Sequence, residues 1–279
     1  MAKRVYFLDG KFKKKPLSNI EDRGFFFSDS VYEVIRARNE KPFFLDEHLS
    51  RLERGLKELK INYQFDREYL EEIIKKSLRI LKKKEAAIYL QITRGKEPRS
   101  HLPRKNTKPA LIIITSEFRP LASRLFKEGV SVILYPDIRW ARCDIKTTML
   151  LPNVLAKIEA KERGFFDALF YKNGYITEST SSSFFGILGG KLITYPATNE
   201  ILPSITREKV IDIARKHQIP VEERPILLQE IQKLEGAFLA GTTYDILPIN
   251  RIEDTKIPLS SLTSLIQEEY AKLLSELSL

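Results

Sequence analysis

Residues 137–153 read DIRWARCDIKTTMLLPN, and they place one lysine, Lys146, after two aspartates and before an apolar run that a proline closes. Most other lysines of the chain fall on charged helix faces or in loops, where solvation accounts for them. Two readings of Lys146 stand side by side. In partly apolar surroundings the ammonium form is disfavoured, and the neutral amine becomes a nucleophile for a carbonyl or an imine-forming group. Alternatively the side chain snorkels, or pairs with Asp137 or Asp144. The MLLP run beside it reads as the packing that fixes where the amine points.

The wider composition narrows the setting. At 279 residues the chain suits one large α/β domain or two domains of roughly 100 to 150 residues each. It is 43% hydrophobic and 30% charged, which places it with folded globular proteins and not with disordered chains. No stretch approaches the ~20 apolar residues of a membrane helix, and MAKRVYFLDGKFKKK has no apolar core after its charges, so a cytoplasmic protein without membrane contact is expected. A single cysteine, Cys143, excludes an intramolecular disulfide, a Cys-rich zinc site and an iron–sulfur cluster. It reads as a packed small hydrophobe. Forty-seven basic against 37 acidic residues give +10, a balance that permits attraction to nucleic acid or to phosphorylated ligands. However, RLERGLKELK and KKSLRILKKK mix their charges with Leu and Ile at helical spacing, which describes solvated helix faces and argues against a nucleic-acid partner.

Along the chain, VYFLDGKF suggests a strand, a turn and a strand start, and EDRGFFFSDS a loop that leads into the β-rich VYEVIRAR. DEHLSRLERGLKELK and FDREYLEEIIKKSLRILKKK repeat apolar residues at i, i+3, i+4 and i+7, so two amphipathic helices are expected. AIYLQITRG and PALIIITSE read as strands joined by KEPRSHLPRKNTK. FRPLASRLF is the expected linker, dividing the chain into residues 1–120 and 121–279, with Lys146 assigned to the second part. There, VSVILYPD is a strand and NVLAKIEAKERG a helix ending at Gly164. Hairpins turn at Asn173-Gly174 and Gly189-Gly190. SITREKVIDIARKH is a helix with Ser204 as N-cap, and SLTSLIQEEYAKLLSEL closes the chain as a helix.

Other segments suit anions. TESTSSSFFG, residues 177–186, gathers hydroxyls behind Glu178, and such a glutamate can face a protonated heterocyclic nitrogen. The helix start in ILPSITREKV offers the free N–H groups of Ile205 and Thr206. GTTYD, residues 241–245, follows the strand-like AFLA, and Arg51 is a further candidate for a phosphate. In KEPRSHLP, Arg99 and His101 lie two apart, so an extended loop points them the same way as a trap for a carboxylate. For each segment a plain structural role stays open. Jointly they point to an amino acid and a phosphorylated cofactor.

DIRWARCDIKTTMLLPNVLAK, EAKERGFFDALFYKNGYITESTSSSFFGI and ILPSITR resemble, in order, the signature segments of the class IV, or fold type IV, pyridoxal-phosphate aminotransferases. EDRGFFFSDSVYEVIRA and IYLQITRGKEPRSHLP are similar to the D-amino acid transaminase branch, and the resemblance spans nearly the whole chain. It implies a two-domain α/β (α+β) fold with pyridoxal 5′-phosphate at the domain interface, in a homodimer. By position, Lys146 matches the Schiff-base and proton-transfer lysine, and Glu178 the partner of the pyridine nitrogen. Arg51, Ser181, Ser182, Ile205, Thr206, Gly241 and Thr242 match cofactor-binding positions. Tyr32, Val34, Arg99, His101 and Thr242 match substrate-binding positions, with Arg99 and His101 reaching over from the partner subunit. The implied reaction is ping-pong transamination between a D-amino acid such as D-alanine and a 2-oxo acid such as 2-oxoglutarate.

Two departures from the family pattern, Phe184 after the serines and Gly241 where a serine is common, imply one fewer hydroxyl for the phosphate. Within the fold, the alternatives are a branched-chain L-amino acid aminotransferase and an aminodeoxychorismate lyase. The first usually carries a GTA-type segment at GTTYD and lacks the PRSH pair; the second uses the same lysine to eliminate pyruvate. A basic binding protein that keeps the fold without the chemistry is the alternative of another class.

Overall fold

The computed structural model describes residues 4–13 and 20–278, and the chain packs as two units. The first runs to Arg119 and takes in Ile145–Met149, while the second holds Pro120–Asp144 and Leu150–Glu276.

In the first unit, β1 (Arg4–Leu8) and β2 (Lys11–Lys13) form a hairpin. They are followed by α1 (Arg23–Phe27), β3 (Ser30–Arg38), β4 (Lys41–Pro42), α2 (Leu45–Glu58), α3 (Arg67–Leu81), β5 (Glu85–Thr93) and β6 (Ala110–Glu117). The six strands make one antiparallel sheet in the order β2-β1-β6-β5-β3-β4. The helical periodicity is realised: Leu49, Leu52 and Leu56 of α2 and Leu70, Ile74, Leu78 and Leu81 of α3 are buried. Asp66 caps α3 by accepting from the Tyr69 N–H at 2.9 Å. Gly55 lets α2 sit close on β3, because a Cβ there would lie 2.9 Å from Val31 Cγ1. The expected loop EDRGFFFSDS instead contains α1. Asp22 Oδ1 accepts from the Gly24 N–H at 2.7 Å to start it, and Ser28 at φ 53° ends it. Three successive phenylalanines hide its periodicity.

The second unit begins with α4 (Ser123–Glu128), which occupies part of the expected linker, and β7 (Val130–Pro136). After these come α5 (Leu151–Glu162), β8 (Asp167–Lys172), β9 (Tyr175–Ser179), β10 (Ser183–Leu188), β11 (Lys191–Thr194) and α6 (Ile205–Lys216). The last elements are β12 (Val221–Glu223), β13 (Ile226–Leu227), β14 (Gly236–Gly241), β15 (Asp245–Ile252), β16 (Thr255–Lys256) and α7 (Ser261–Glu276). The mixed sheet runs β12-β11-β10-β14-β15-β7-β8-β9-β13, with β16 beside β15. Asn173 and Gly174 have φ of 51° and 83°, and Gly189 and Gly190 of 59° and 68°, as tight hairpin turns require. Val132, Leu169, Leu239, Leu247 and Ile249 share its core, and α5 lays Ala156 and Ala160 on Ile133 and Phe170. Among the described residues no helix is long and apolar enough to cross a membrane.

The packing corrects one expectation. Lys146 belongs with the first unit and not with the second, since its segment hydrogen-bonds to β3.

Candidate active site

The lysine segment runs beside the start of β3, which the two-residue β4 leaves open by pairing only with Ala37 and Arg38. The Tyr32 N–H donates to the Lys146 carbonyl at 3.0 Å, Thr147 bridges Val31, and the Thr148 and Ser30 hydroxyls are 2.7 Å apart. Ile145 and Thr147, both buried, anchor the segment on either side of the lysine. The MLLP run does not supply this support, because Met149 is 42% and Leu151 67% exposed. Lys146 Nζ stands 4.5 Å from the centroid of the Tyr32 ring, which in turn stacks on Tyr89 at 5.5 Å. Both aspartates offered as its partners are engaged elsewhere, Asp137 by Arg139 at 2.7 Å and Asp144 by Arg142 at 2.9 Å. The lysine therefore keeps its amine without a carboxylate among the described residues.

Behind β3 lies a charged cluster. Strand alternation puts Glu33 on the same face as Val31 and Ile35, and all three are buried. Arg51, three residues after His48 on α2, holds Glu33 through Nε and Nη2, each at 2.7 Å. His48 Nδ1 lies 2.7 Å from Glu33 Oε2. Burial alone would raise the Glu33 pKa, but the Arg51 charge and the hydrogen bonds from Arg51 and His48 outweigh it and bring it down to about 2. The carboxylate is thus ionised, and the imidazole must be the donor. Burial keeps the His48 pKa below its ordinary value against the pull of Glu33, and the charges of Arg51 and Lys146 add to that.

A carboxyl lowered from 4.5 to about 2 contributes stability that is complete above pH 4.5 and lost as the pH falls toward 2. That loss is roughly 3 kcal/mol. Urea unfolding followed from pH 7 to pH 3 should show it, and Glu33→Gln should flatten the stretch below pH 4.5. An unaltered slope in that variant would remove Glu33 from the account.

The loop after β5 carries the second basic pair. Gly95, at φ 106°, starts it, and a Cβ there would meet the Lys108 carbonyl oxygen at 1.9 Å. Arg23, itself buried, ties the loop down: Nη1 donates to Glu97 Oε1 at 2.7 Å and to the Ser100 carbonyl at 2.5 Å, and Nη2 donates to the His101 carbonyl at 3.1 Å. Arg99 and His101 both lie against Phe27, at 5.1 Å and 5.5 Å from its ring centroid. Both side chains meet the Phe27 ring although the chain bends at 98–99 and 101–102, and both residues are exposed.

In the second unit, Glu178 sits near the end of β9, buried. Its Oε1 accepts from Arg139 Nη1 at 2.5 Å and from the Leu202 N–H at 3.2 Å. Burial raises its pKa against the Arg139 charge. Next in the chain, Ser179 and Ser182 close a tight turn: the Ser179 N–H donates to the Ser182 carbonyl at 2.9 Å, and their hydroxyls are 2.6 Å apart. Ser183 Oγ is buried without a hydrogen-bond partner. Ser181 donates to the Tyr244 hydroxyl at 3.4 Å, so this turn and GTTYD meet. Gly241 is explained by the same approach, since a Cβ there would stand 2.9 Å from Ser182 Cβ. A serine would not fit without displacement. Phe184 is buried in the core beside Leu239 and Leu247. Ser204 caps α6 by accepting from the Arg207 N–H at 3.3 Å, and among the described residues nothing accepts from the N–H groups of the buried Ile205 and Thr206. Thr242 is partly exposed beside Gly241.

Tyr32, Val34, Arg51, Lys146, Arg99 and His101 therefore belong to the first unit, and Glu178, Ser181, Ser182, Ile205, Thr206, Gly241 and Thr242 to the second. Glu33, His48, Tyr89, Asp137 and Arg139 are site neighbours that the sequence did not disclose as such. A glutamate in register with Val31 and Ile35 was the available signal for the first.

The chain belongs to the class IV aminotransferases, the family whose model, described as Amino-transferase class IV, matches residues 30–252. The D-alanine aminotransferase of Bacillus licheniformis is 36% identical over 239 residues, covering 86% of this chain and 84% of that protein. A branched-chain aminotransferase from Thermoproteus uzoniensis, solved with norvaline, superposes with a TM-score of 0.88 at 26% identity, over 97% of this chain and 94% of the other. A branched-chain amino acid aminotransferase from T.th., solved with pyridoxamine 5′-phosphate, shares the fold at a TM-score of 0.91 and 23% identity, over 99% and 96% of the two chains.

Proposed function

We propose that this chain is a pyridoxal-phosphate-dependent D-amino acid aminotransferase, acting between a D-amino acid such as D-alanine and a 2-oxo acid such as 2-oxoglutarate. The observation that carries the D-amino acid reading is the pair Arg99 and His101, both set on Phe27 in a loop that buried Arg23 holds. The 36% identity to a D-alanine aminotransferase supports it. The branched-chain structures share the fold and do not decide the substrate.

The residues fit the cofactor. Among the described residues Ser183 Oγ is an orphaned buried polar atom and the buried N–H groups of Ile205 and Thr206 have no acceptor, and the buried Glu178 carboxyl takes its bonds from Arg139 and Leu202 on Oε1, which leaves Oε2 for a cationic ring nitrogen. Lys146 would hold the aldehyde carbon and Glu178 the ring nitrogen. Ser181, Ser182, Ile205, Thr206, Gly241 and Thr242, with Arg51, would hold the phosphate. When bound, pyridoxal 5′-phosphate supplies a carbonyl for amine exchange and a ring that takes up the electron pair left at the substrate α-carbon. Lys146 Nζ would be the base that takes the substrate's α-proton and the acid that gives it up again. Arg99 and His101 bind the α-carboxylate, with Tyr32 as a further donor and Val34 beside it. In this reading the active species is a homodimer in which Arg99 and His101 serve the partner's site.

Purified protein given 2-oxoglutarate should form glutamate with D-alanine and fail with L-leucine, L-valine and L-alanine. Efficient use of L-leucine with no turnover of D-alanine would refute the D-amino acid reading. Pyruvate released from aminodeoxychorismate without any 2-oxo acid would replace it with a lyase.

A further inference from the structure

Three ionisable side chains of the second unit meet at one point. Arg139 grips Asp137 with two groups, Nε to Oδ1 at 2.9 Å and Nη2 to Oδ2 at 2.7 Å, and gives Glu178 only Nη1, to Oε1 at 2.5 Å. The side chains of all three are 7% to 8% exposed. Two carboxylates and one guanidinium leave a formal charge of −1 in a desolvated place.

Among the described residues the surroundings do not neutralise it. Thr177 donates to Asp137 Oδ2 at 2.9 Å, and Arg139 Nη2 donates to the Glu200 carbonyl at 3.1 Å. The guanidinium lies 4.5 Å from the Phe170 ring centroid. Burial pushes the neighbouring Cys143 thiol up to about 12, so it carries no charge at neutral pH, and Asp144 is paired with Arg142. Lys172 answers the Glu200 carboxylate at 2.8 Å. Glu178 Oε2 takes part in none of these bonds. An uncompensated buried charge is costly, and a cationic group arriving at Oε2 removes the cost.

We propose that Asp137 is a positioning residue which, by occupying Arg139, holds the Asp137–Arg139–Glu178 cluster at −1 and so makes the site select a protonated ring nitrogen. The proposal rests on the reading of Glu178 as the ring nitrogen's partner. Were Asp137 neutral, the Arg139 charge would fall wholly to Glu178, the cluster would net zero, and the pull on a pyridinium would weaken. Burial followed by the Arg139 and Asp137 charges, acting in opposite senses on the Glu178 carboxyl, is consistent with this balance.

The test compares binding of pyridoxal 5′-phosphate with that of its 1-deaza analogue, which carries C–H where the ring nitrogen stands, to the full-length protein. Wild type should prefer the nitrogen-bearing ring, and Glu178→Gln should abolish that preference. Asp137→Asn should shrink the preference about tenfold, the equivalent of one pH unit at the ring nitrogen. The double variant Asp137→Asn with Arg139→Met restores the −1 charge and should restore most of the preference. A merely structural role would weaken both ligands alike and leave the double variant worse than the single one. An unchanged preference in Asp137→Asn, or no recovery in the double variant, overturns the proposal while Glu178→Gln still abolishes the preference. If Glu178→Gln keeps the preference, the assignment of Glu178 falls and the proposal with it.

Discussion

Lys146→Ala should lose D-alanine transamination by at least about 10⁴-fold, because in the proposed function one side chain supplies both the covalent anchor and the proton carrier. The fold should survive. The Lys146 carbonyl, which accepts from Tyr32, is backbone and stays in place, and Ile145 and Thr147 remain buried on either side. The side chain itself loses only its contact with the Tyr32 ring at 4.5 Å. A thermal unfolding midpoint within a few degrees of wild type, with pyruvate formation from D-alanine gone, is the expected pair of results. Residual activity within tenfold of wild type would show that another group moves the proton.

Arg51→Met should damage stability as well as cofactor binding. Removing one partner of a buried ion pair costs about 3–5 kcal/mol, since the remaining charge is left in a desolvated place. Here that charge is Glu33, fully buried and left with His48 as its partner among the described residues. The observed role of Arg51 on Glu33 and its proposed role on the phosphate separate in a double variant. Arg51→Met with Glu33→Gln removes both charges and should recover much of the lost stability in urea, whereas affinity for pyridoxal 5′-phosphate should stay about ten- to a hundredfold down, the worth of a charge-assisted hydrogen bond. Recovery of affinity together with stability would mean that Arg51 serves Glu33 and not the phosphate.

These two residues show what the chain discloses before folding and what it does not. Periodicity exposed α2 and α3, and the left-handed turn pairs Asn173-Gly174 and Gly189-Gly190 exposed their hairpins, because each depends on neighbours in sequence. β15 was not visible: it carries Pro248, which opposes Phe238 in the ladder, and a proline argues against an interior strand. α1 was hidden by its run of phenylalanines. In the candidate site, the roles proposed for Lys146, Glu178, Arg99 and His101 come from the resemblance of their segments, in order, to those of the family. The direction of the Lys146 amine does not, since it is set by hydrogen bonds to Tyr32 and Val31, more than a hundred residues away, and not by the adjacent MLLP. For the same reason Arg139, within the opening stretch, gave no sign that it would bind a glutamate 39 positions on.

The proposed chemistry turns on the amine of Lys146. Protein loaded with pyridoxal 5′-phosphate should be yellow, and borohydride should bleach it while fixing the cofactor covalently. Digestion and mass spectrometry should then find the added mass on the peptide that contains Lys146. A label on any other lysine, or a protein that takes up no cofactor, would contradict it.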